Sequence, residues 1–201
     1  MTRGGVPVMF DRATGEIMHP EVGPLIEVER LYISPSRLAE RLSGAEQKPL
    51  VVLDAGLGAG SNAIAAWRTA RDMTARTRQL ELISIDRTVE ALEVALEPDH
   101  AAAFGFDAAA ASAARALLTE HHHESAHTHW RLQLGELEAE LARVSAESVD
   151  VVFWDPFSPR ADPALWSVRA FQALRRICRA GATVHTYSGA TATRTALLLA
   201  G

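Results

Sequence analysis

From residue 50 onward, short apolar runs alternate with helical patterns, and this alternation constrains the fold of the chain more than any other feature. Leu50–Ala55, Leu80–Asp86, Trp130–Leu134, Val149–Asp155 and Ala182–Tyr187 read as strands, with helical segments expected near 61–73, 87–97, 108–120, 136–144, 166–179 and 191–200. Parallel strands need long crossover connections and helices supply them. The alternation therefore predicts a mostly parallel sheet covered on both faces, a doubly wound, Rossmann-like α/β fold. Ala101 to Ala116 interrupts the rhythm. Residues 108–116 contain neither glycine nor proline, so this stretch reads as a low-complexity helix.

Ahead of the alternation, Val6–Met18 reads as two short strands around a turn at Asp11 to Gly15. Val28, Leu31, Leu38 and Leu42 follow at helical spacing, interrupted by Ser34-Pro35, which predicts two pieces with a boundary before the proline. Residues 1–45 are thus expected to form a hairpin and helical cover on a core of residues 46–201, the whole a single compact domain. A chain of 201 residues buries enough surface to need no disulfide or structural metal. Its single cysteine, Cys178, reads as a helix residue in a reducing compartment. No run of 18 apolar residues occurs, so a membrane partner is not expected and cytoplasm is. A formal net charge of −5 argues against a surface that grips nucleic acid all over, while leaving a local basic face open.

Sheets of this kind bind ligands outside the carboxyl ends of their strands. Four of the five expected strand ends carry a carboxylate there: Asp54, Asp86, Glu136 and Asp155. Singly, each is as well explained as a helix cap or first-turn residue; together they mark a candidate site. Asp54-Ala-Gly56-Leu-Gly58-Ala-Gly60-Ser-Asn62 lies between an expected strand and helix. Alternate glycines let backbone approach a ligand while the helix offers free N–H groups. The spacing is G-x-G-x-G rather than the dinucleotide fingerprint G-x-G-x-x-G. That departure, with an acid in front of the glycines, favours the cationic S-adenosyl-L-methionine over a pyrophosphate cofactor; a purely structural turn is the alternative. Asp86 is placed to accept from ribose hydroxyls, and Glu136 either reaches the adenine edge or completes a first helical turn. Asp155-Pro-Phe-Ser-Pro159 enters the crevice with stiff backbone, carbonyls free to accept from an amine, and Phe157 to pack on a flat ring. Its alternative is a rigid turn capped by Asp155.

Leu53–Asn62, Val149–Trp166 with its Asp-x-Phe-x-Pro-x-x-x-Pro-x-x-Trp pattern, and Arg179–Ser188 resemble the methyltransferase part of the bacterial family that completes 5-methylaminomethyl-2-thiouridine at the tRNA wobble position. His19-Pro-Glu-Val-Gly23 and Glu27 resemble the segment preceding that core. The resemblance implies a class I S-adenosyl-L-methionine-dependent fold, N-methylation of an aminomethyl-uridine, and tRNA as partner. Carried across, Asp54, Gly56, Gly58, Gly60, Asn62, Asp86 and Glu136 would bind the cofactor, Asp155 would be catalytic, and Pro156, Phe157, Glu27 and His19 would meet the acceptor. The sequence stops at Leu199-Ala-Gly201, where class I enzymes continue into a strand hairpin, so the expected fold lacks that hairpin and exposes a sheet edge to a second copy. Two other functions fit the residues: a transferase acting on a small amine, aminopropyl transfer included, and a scaffold that binds the cofactor without catalysis.

His121 to His129 holds five histidines in nine positions and is read as an exposed loop in preference to a metal site. His185 reads as a core histidine. Arg160, Arg169, Arg175, Arg176 and Arg179 form either a solvated face or a phosphate-contacting one.

Overall fold

A computed structural model of the chain describes residues 1, 5, 7–18, 23–75 and 77–201. Its centre is a six-stranded sheet formed by β3 (Leu50–Ala55), β4 (Leu80–Asp86), β5 (His122–Glu124), β6 (Thr128–Leu134), β7 (Val149–Trp154) and β8 (Cys178–His185), ordered β5-β6-β4-β3-β7-β8. All pairs are parallel except β5 with β6. The preceding β1 (Phe10–Asp11) and β2 (Glu16–Ile17) form the expected small antiparallel hairpin.

The two central strands are buried along their whole length, and period-two alternation divides their side chains between two cores. Leu50, Val52, Val151 and Phe153 face one core. Val51, Leu53, Val152 and Trp154 face the other. The first core is covered by α1 (Pro24–Val28), α2 (Ser34–Ser36), α3 (Leu38–Leu42), α4 (Ser61–Asp72), α5 (Glu90–Ala95) and α6 (Ala108–Glu120). The second is covered by α7 (Leu137–Arg143), α8 (Val168–Ile177) and α9 (Thr191–Ala200). The alanine-rich stretch forms α6, capped by the Asp107 carboxylate accepting from the Ala110 N–H at 2.8 Å. Its alanines at 110, 111, 113 and 114 are buried, their small side chains allowing close packing on the sheet. No helix among the described residues is long and apolar enough to cross a membrane.

Three expectations change. The helical cover does not break before Pro35: the chain runs from α1 through a π-helical turn, Glu29–Ile33, into α2, where Pro35 sits in the first turn. A first-turn proline loses no needed N–H, and the interruption falls instead at Arg37, which adopts a left-handed backbone (φ 53°). Cys178 opens β8 rather than ending a helix, because α8 stops at Ile177 and Cys178 pairs with Val149; the register then shifts before Val151 meets Thr183. The histidine run is not a free loop either. His122–Glu124 pairs with His129–Arg131, making β5 one edge of the sheet and β8 the other.

Sequence order moves outward from β3 to β4 and β6, then returns to β7 on β3's other side. The crevice of a doubly wound sheet opens at that reversal. Here the backbones nearly touch: a Cβ on Gly56 (φ +93°) would lie 2.5 Å from the Asp155 carbonyl oxygen and 2.8 Å from its carbon. Gly56→Ala is expected to cost about 2–4 kcal/mol from overpacking and left-handed strain together. Gly15→Ala meets nothing within 4 Å and should cost only the strain, about 1–2 kcal/mol. Urea unfolding of both variants checks the difference.

Candidate functional site

The crevice opens into a cavity of about 890 Å³ at the carboxyl ends of the central strands. Its floor is the glycine loop, with Gly56, Leu57, Gly58 and Ala59 followed by Ser61 and Asn62 at the start of α4. One wall is Ile85 and Asp86 from the end of β4 with Gly135 and Leu137 after β6. The opposite wall is Asp155 to Ser158 after β7 and Tyr187 after β8. The hairpin closes the top through Gly15 to Met18, and α1 with the π-helical turn adds Glu27, Arg30 and Leu31.

Asp86 ties the floor to its wall. Its carboxylate accepts from the Gly58 N–H at 2.8 Å and the Arg87 N–H at 2.7 Å. The wall from Asp155 to Ser158 is held from several sides. Asp155 accepts from the Tyr32 hydroxyl at 2.7 Å and from the Asn62 amide at 2.6 Å. The Pro156 carbonyl accepts from the Tyr187 hydroxyl at 3.0 Å, and the Phe157 carbonyl from the Trp166 indole at 2.8 Å. Ser158 donates its N–H and its hydroxyl to Glu16 of the hairpin, which straps the hairpin to this loop. Burial raises the Tyr32 and Tyr187 hydroxyls above their ordinary range and the charge of Asp155 adds to it, so both phenols are donors.

Of the residues singled out in the sequence, Gly56, Gly58, Asn62, Asp86, Asp155, Pro156, Phe157 and Glu27 line this one cavity. Asp54, Gly60 and Glu136 are not among its lining residues. Asp54 is fully buried under the floor, accepting from the Ser84 hydroxyl at 2.8 Å, and Ser84 in turn accepts from the Trp130 indole at 3.0 Å. Gly60 caps α4 with a left-handed backbone, packed against Leu92. Glu136 is exposed between the lining residues Gly135 and Leu137. His19 lies outside the described residues. The Pro156 carbonyl, expected to be open to an amine, already holds Tyr187. His185 is half-buried, with burial lowering its pKa, and its ring meets Phe153 edge-on at 6.4 Å. Sequence reasoning missed Tyr32, Tyr187, Glu16 and Arg30.

The lining suits S-adenosyl-L-methionine. Asp86, Glu16, Glu27 and Asp155 give carboxylates for a sulfonium and an ammonium, while Leu57, Ile85 and Leu137 give apolar surface for an adenine. Asn62 Oδ1 is buried and accepts no hydrogen bond from the described residues, an acceptor waiting for a ligand donor. The oxygens of Asp86 retain lone pairs for ribose hydroxyls.

The fold is that of the class I S-adenosyl-L-methionine-dependent methyltransferases, with the cavity at the carboxyl ends of its central strands. Residues 106–201 match the family described as S-adenosyl-L-methionine-dependent methyltransferase. The chain is similar to the tRNA 5-methylaminomethyl-2-thiouridine biosynthesis bifunctional proteins MnmC. It is 30% identical to that of Methylibium petroleiphilum over 201 residues, covering 98% of this chain and 30% of that protein. With that of Ralstonia nicotianae it shares 27% identity over 197 residues, covering 96% of this chain and 30% of that protein. The chain thus spans under a third of the length of these relatives. Among solved structures, MNMC2 from Aquifex aeolicus shares the fold, with a TM-score of 0.79 at 21% identity, covering 100% of this chain and 62% of that one.

Burial pushes the Asp54 carboxyl well above the usual carboxylate range; Ser84 opposes the shift, and the charges of Asp155 and Asp86 add to it. A carboxyl whose folded pKa is raised contributes stability that is full below its unfolded value, near 3.9, and is lost as pH rises through the folded value. Asp54→Asn removes that dependence. The variant's melting temperature relative to wild type should therefore climb as pH rises from 4 to 8. Each unit of raised pKa is worth about 1.4 kcal/mol, or roughly 3–6 °C in a chain of this size. Melting curves across that range check it, and a constant difference would contradict the assignment.

Proposed function

We propose that this chain methylates the exocyclic nitrogen of an aminomethyl-uridine at the wobble position of tRNA. The observation that carries the reading is the Asp155 carboxylate. It faces the glycine loop across one cavity, on a loop whose sequence resembles that of the tRNA-modifying relatives. Gly56, Gly58, Asn62 and Asp86 would hold the cofactor. Glu136, at the exposed rim, would serve the adenine side, while Asp54 and Gly60 would shape the loop from beneath. When bound, S-adenosyl-L-methionine supplies a methyl group already activated by its sulfonium.

The chain's own task is alignment and exclusion of water. Asp155 accepts an N–H of the acceptor amine, which orients the nitrogen lone pair and favours the amine over less basic groups. Phe157 packs on the uracil ring, Pro156 stiffens the approach, and Glu27 flanks the entry. tRNA is the partner on this reading. The domain has no general basic excess, so Arg30 at the cavity and Arg160 on the exposed loop would contact phosphates, positioning the RNA without reading its sequence.

The acidic lining and net charge of −5 also suit a small polyamine. Supplying the enzyme and labelled cofactor with unmodified tRNA, aminomethyl-modified tRNA and polyamines separates the two. Methylated nucleoside from the aminomethyl-modified tRNA alone is expected by mass spectrometry, and product on polyamines alone would overturn the tRNA reading. Asp155→Ala should lower turnover about a hundredfold or more with cofactor affinity by calorimetry nearly unchanged. A variant of normal activity would remove Asp155 from the mechanism.

A further inference from the structure

The hydroxyl of Tyr32 reaches Asp155 across 123 positions of sequence. Tyr32 is wholly buried, its ring edge-on to Phe153 at a centroid distance of 5.5 Å. It sits in the π-helical turn Glu29–Ile33, and isolated π turns within helices frequently accompany functional sites. A tyrosine in an apolar core needs one hydrogen-bond partner for its hydroxyl, and here that partner is the carboxylate on the acceptor wall. Asn62, from the first turn of α4 on the cofactor floor, donates to the other oxygen of the same carboxylate.

We propose that Tyr32 is a positioning residue for methyl transfer: together with Asn62 it holds the Asp155 carboxylate in a single orientation toward a basic amine acceptor. The inference rests on the acceptor reading above. Donors on two separate elements, one per oxygen, fix both side-chain torsions of Asp155. Both donors are neutral and stabilise the ionised form without cancelling its charge. The charged and titratable neighbours of the Tyr32 hydroxyl are Asp155, Glu27 on α1 and Tyr187 after β8. The two carboxylates oppose formation of a tyrosinate, so the phenol stays a donor rather than a base. Asn62 also joins the two halves of the cavity, so the orientation of the acceptor carboxylate is set partly from the cofactor floor.

A double-mutant cycle of Tyr32→Phe and Asp155→Asn tests this in two readouts. The first is urea unfolding with neither cofactor nor acceptor present. Coupled residues give a double variant whose stability departs from the sum of the single effects, whereas additive effects would refute the contact itself. The second is transfer to whichever amine takes the methyl, tRNA-borne or small. Tyr32→Phe should lower kcat about tenfold or more, with S-adenosylhomocysteine affinity by calorimetry within about twofold of wild type. The double variant should be no slower than Asp155→Asn alone. Multiplying losses, or wild-type turnover in Tyr32→Phe, would overturn the proposal. A fully active Asp155→Asn would instead overturn the acceptor role of Asp155, and a product found on polyamines alone would overturn the tRNA reading while leaving the Tyr32 cycle decisive. Should Tyr32→Phe fail to fold, Asn62→Asp, which puts a like charge against the same carboxylate, is expected to lower kcat in its place; unchanged turnover there would count against the array.

Discussion

The cavity depends on the approach of two parallel strands at their carboxyl ends. β3 leaves the sheet hydrogen-bonded on both sides: the Gly56 N–H donates to Ile85 at 3.0 Å, and the Ala55 carbonyl accepts from Asp155 at 2.9 Å. The ladder thus runs one residue past the strands, and both functional loops start from a fixed register. A side chain at position 56 would occupy the space of the Asp155 carbonyl. Glycine there sets how closely the glycine loop and the Asp155 wall stand. Because β3 feeds α4 and β7 feeds the Asp155 loop, one backbone contact fixes the two sides of the cavity relative to each other.

The two ends of the sheet handle acidic residues differently. At the amino-terminal end, Asp150 is neutralised: Arg179 lies at 2.7 Å and Arg78 at 3.8 Å, and its carboxylate also accepts from the Val51 N–H at 2.8 Å. At the carboxyl end, Asp86 is held by backbone N–H groups and Asp155 by a phenol and an amide. Neutral donors orient a carboxylate and leave its charge in place. The first arrangement serves stability, since removing either partner of a buried ion pair is costly. The second creates a field that favours a cationic ligand, and a sulfonium carrying an ammonium is such a ligand.

Much of the fold was legible because it is written locally. β3, β4, α6 and α9 fall on the boundaries that apolar periodicity, glycine and proline indicate, and the hairpin follows from its turn residues. The mismatches occur where tertiary pairing overrides local pattern. Arg175 to Arg179 looks helical throughout, yet Val149 recruits Cys178 into β8. The histidine run looks like loop, yet β6 offers an unpaired edge and takes His122–Glu124 into an antiparallel pair, with His123 packed against Trp67 at 6.0 Å. Pro35 looks like a boundary, but a proline entering the first turn of a helix breaks nothing.

The site was legible in the same measure and for the same reason. Residues at strand ends announce themselves by position, which is why the glycine loop, Asp86 and the Asp155 segment could be found and do share one cavity. Position along a strand does not say which face of the floor a side chain takes, and Asp54 consequently lies beneath it as part of a buried Ser84–Trp130 network. Tyr32, at helical spacing among apolar residues, is indistinguishable from core, and Tyr187 closes an expected strand with no carboxylate to mark it; packing chooses their hydroxyl partners across 123 and 31 positions. Glu16 reaches Ser158 from 142 positions away. These three residues share a property visible only in the fold: each donates to, or accepts from, the segment Asp155 to Ser158 from another part of the chain. A loop stiffened by Pro156 and Pro159 still has side-chain freedom, and long-range partners remove it. The chemistry-bearing residues can therefore be found by reading along the chain, while the residues that hold them in place must be found by reading across it.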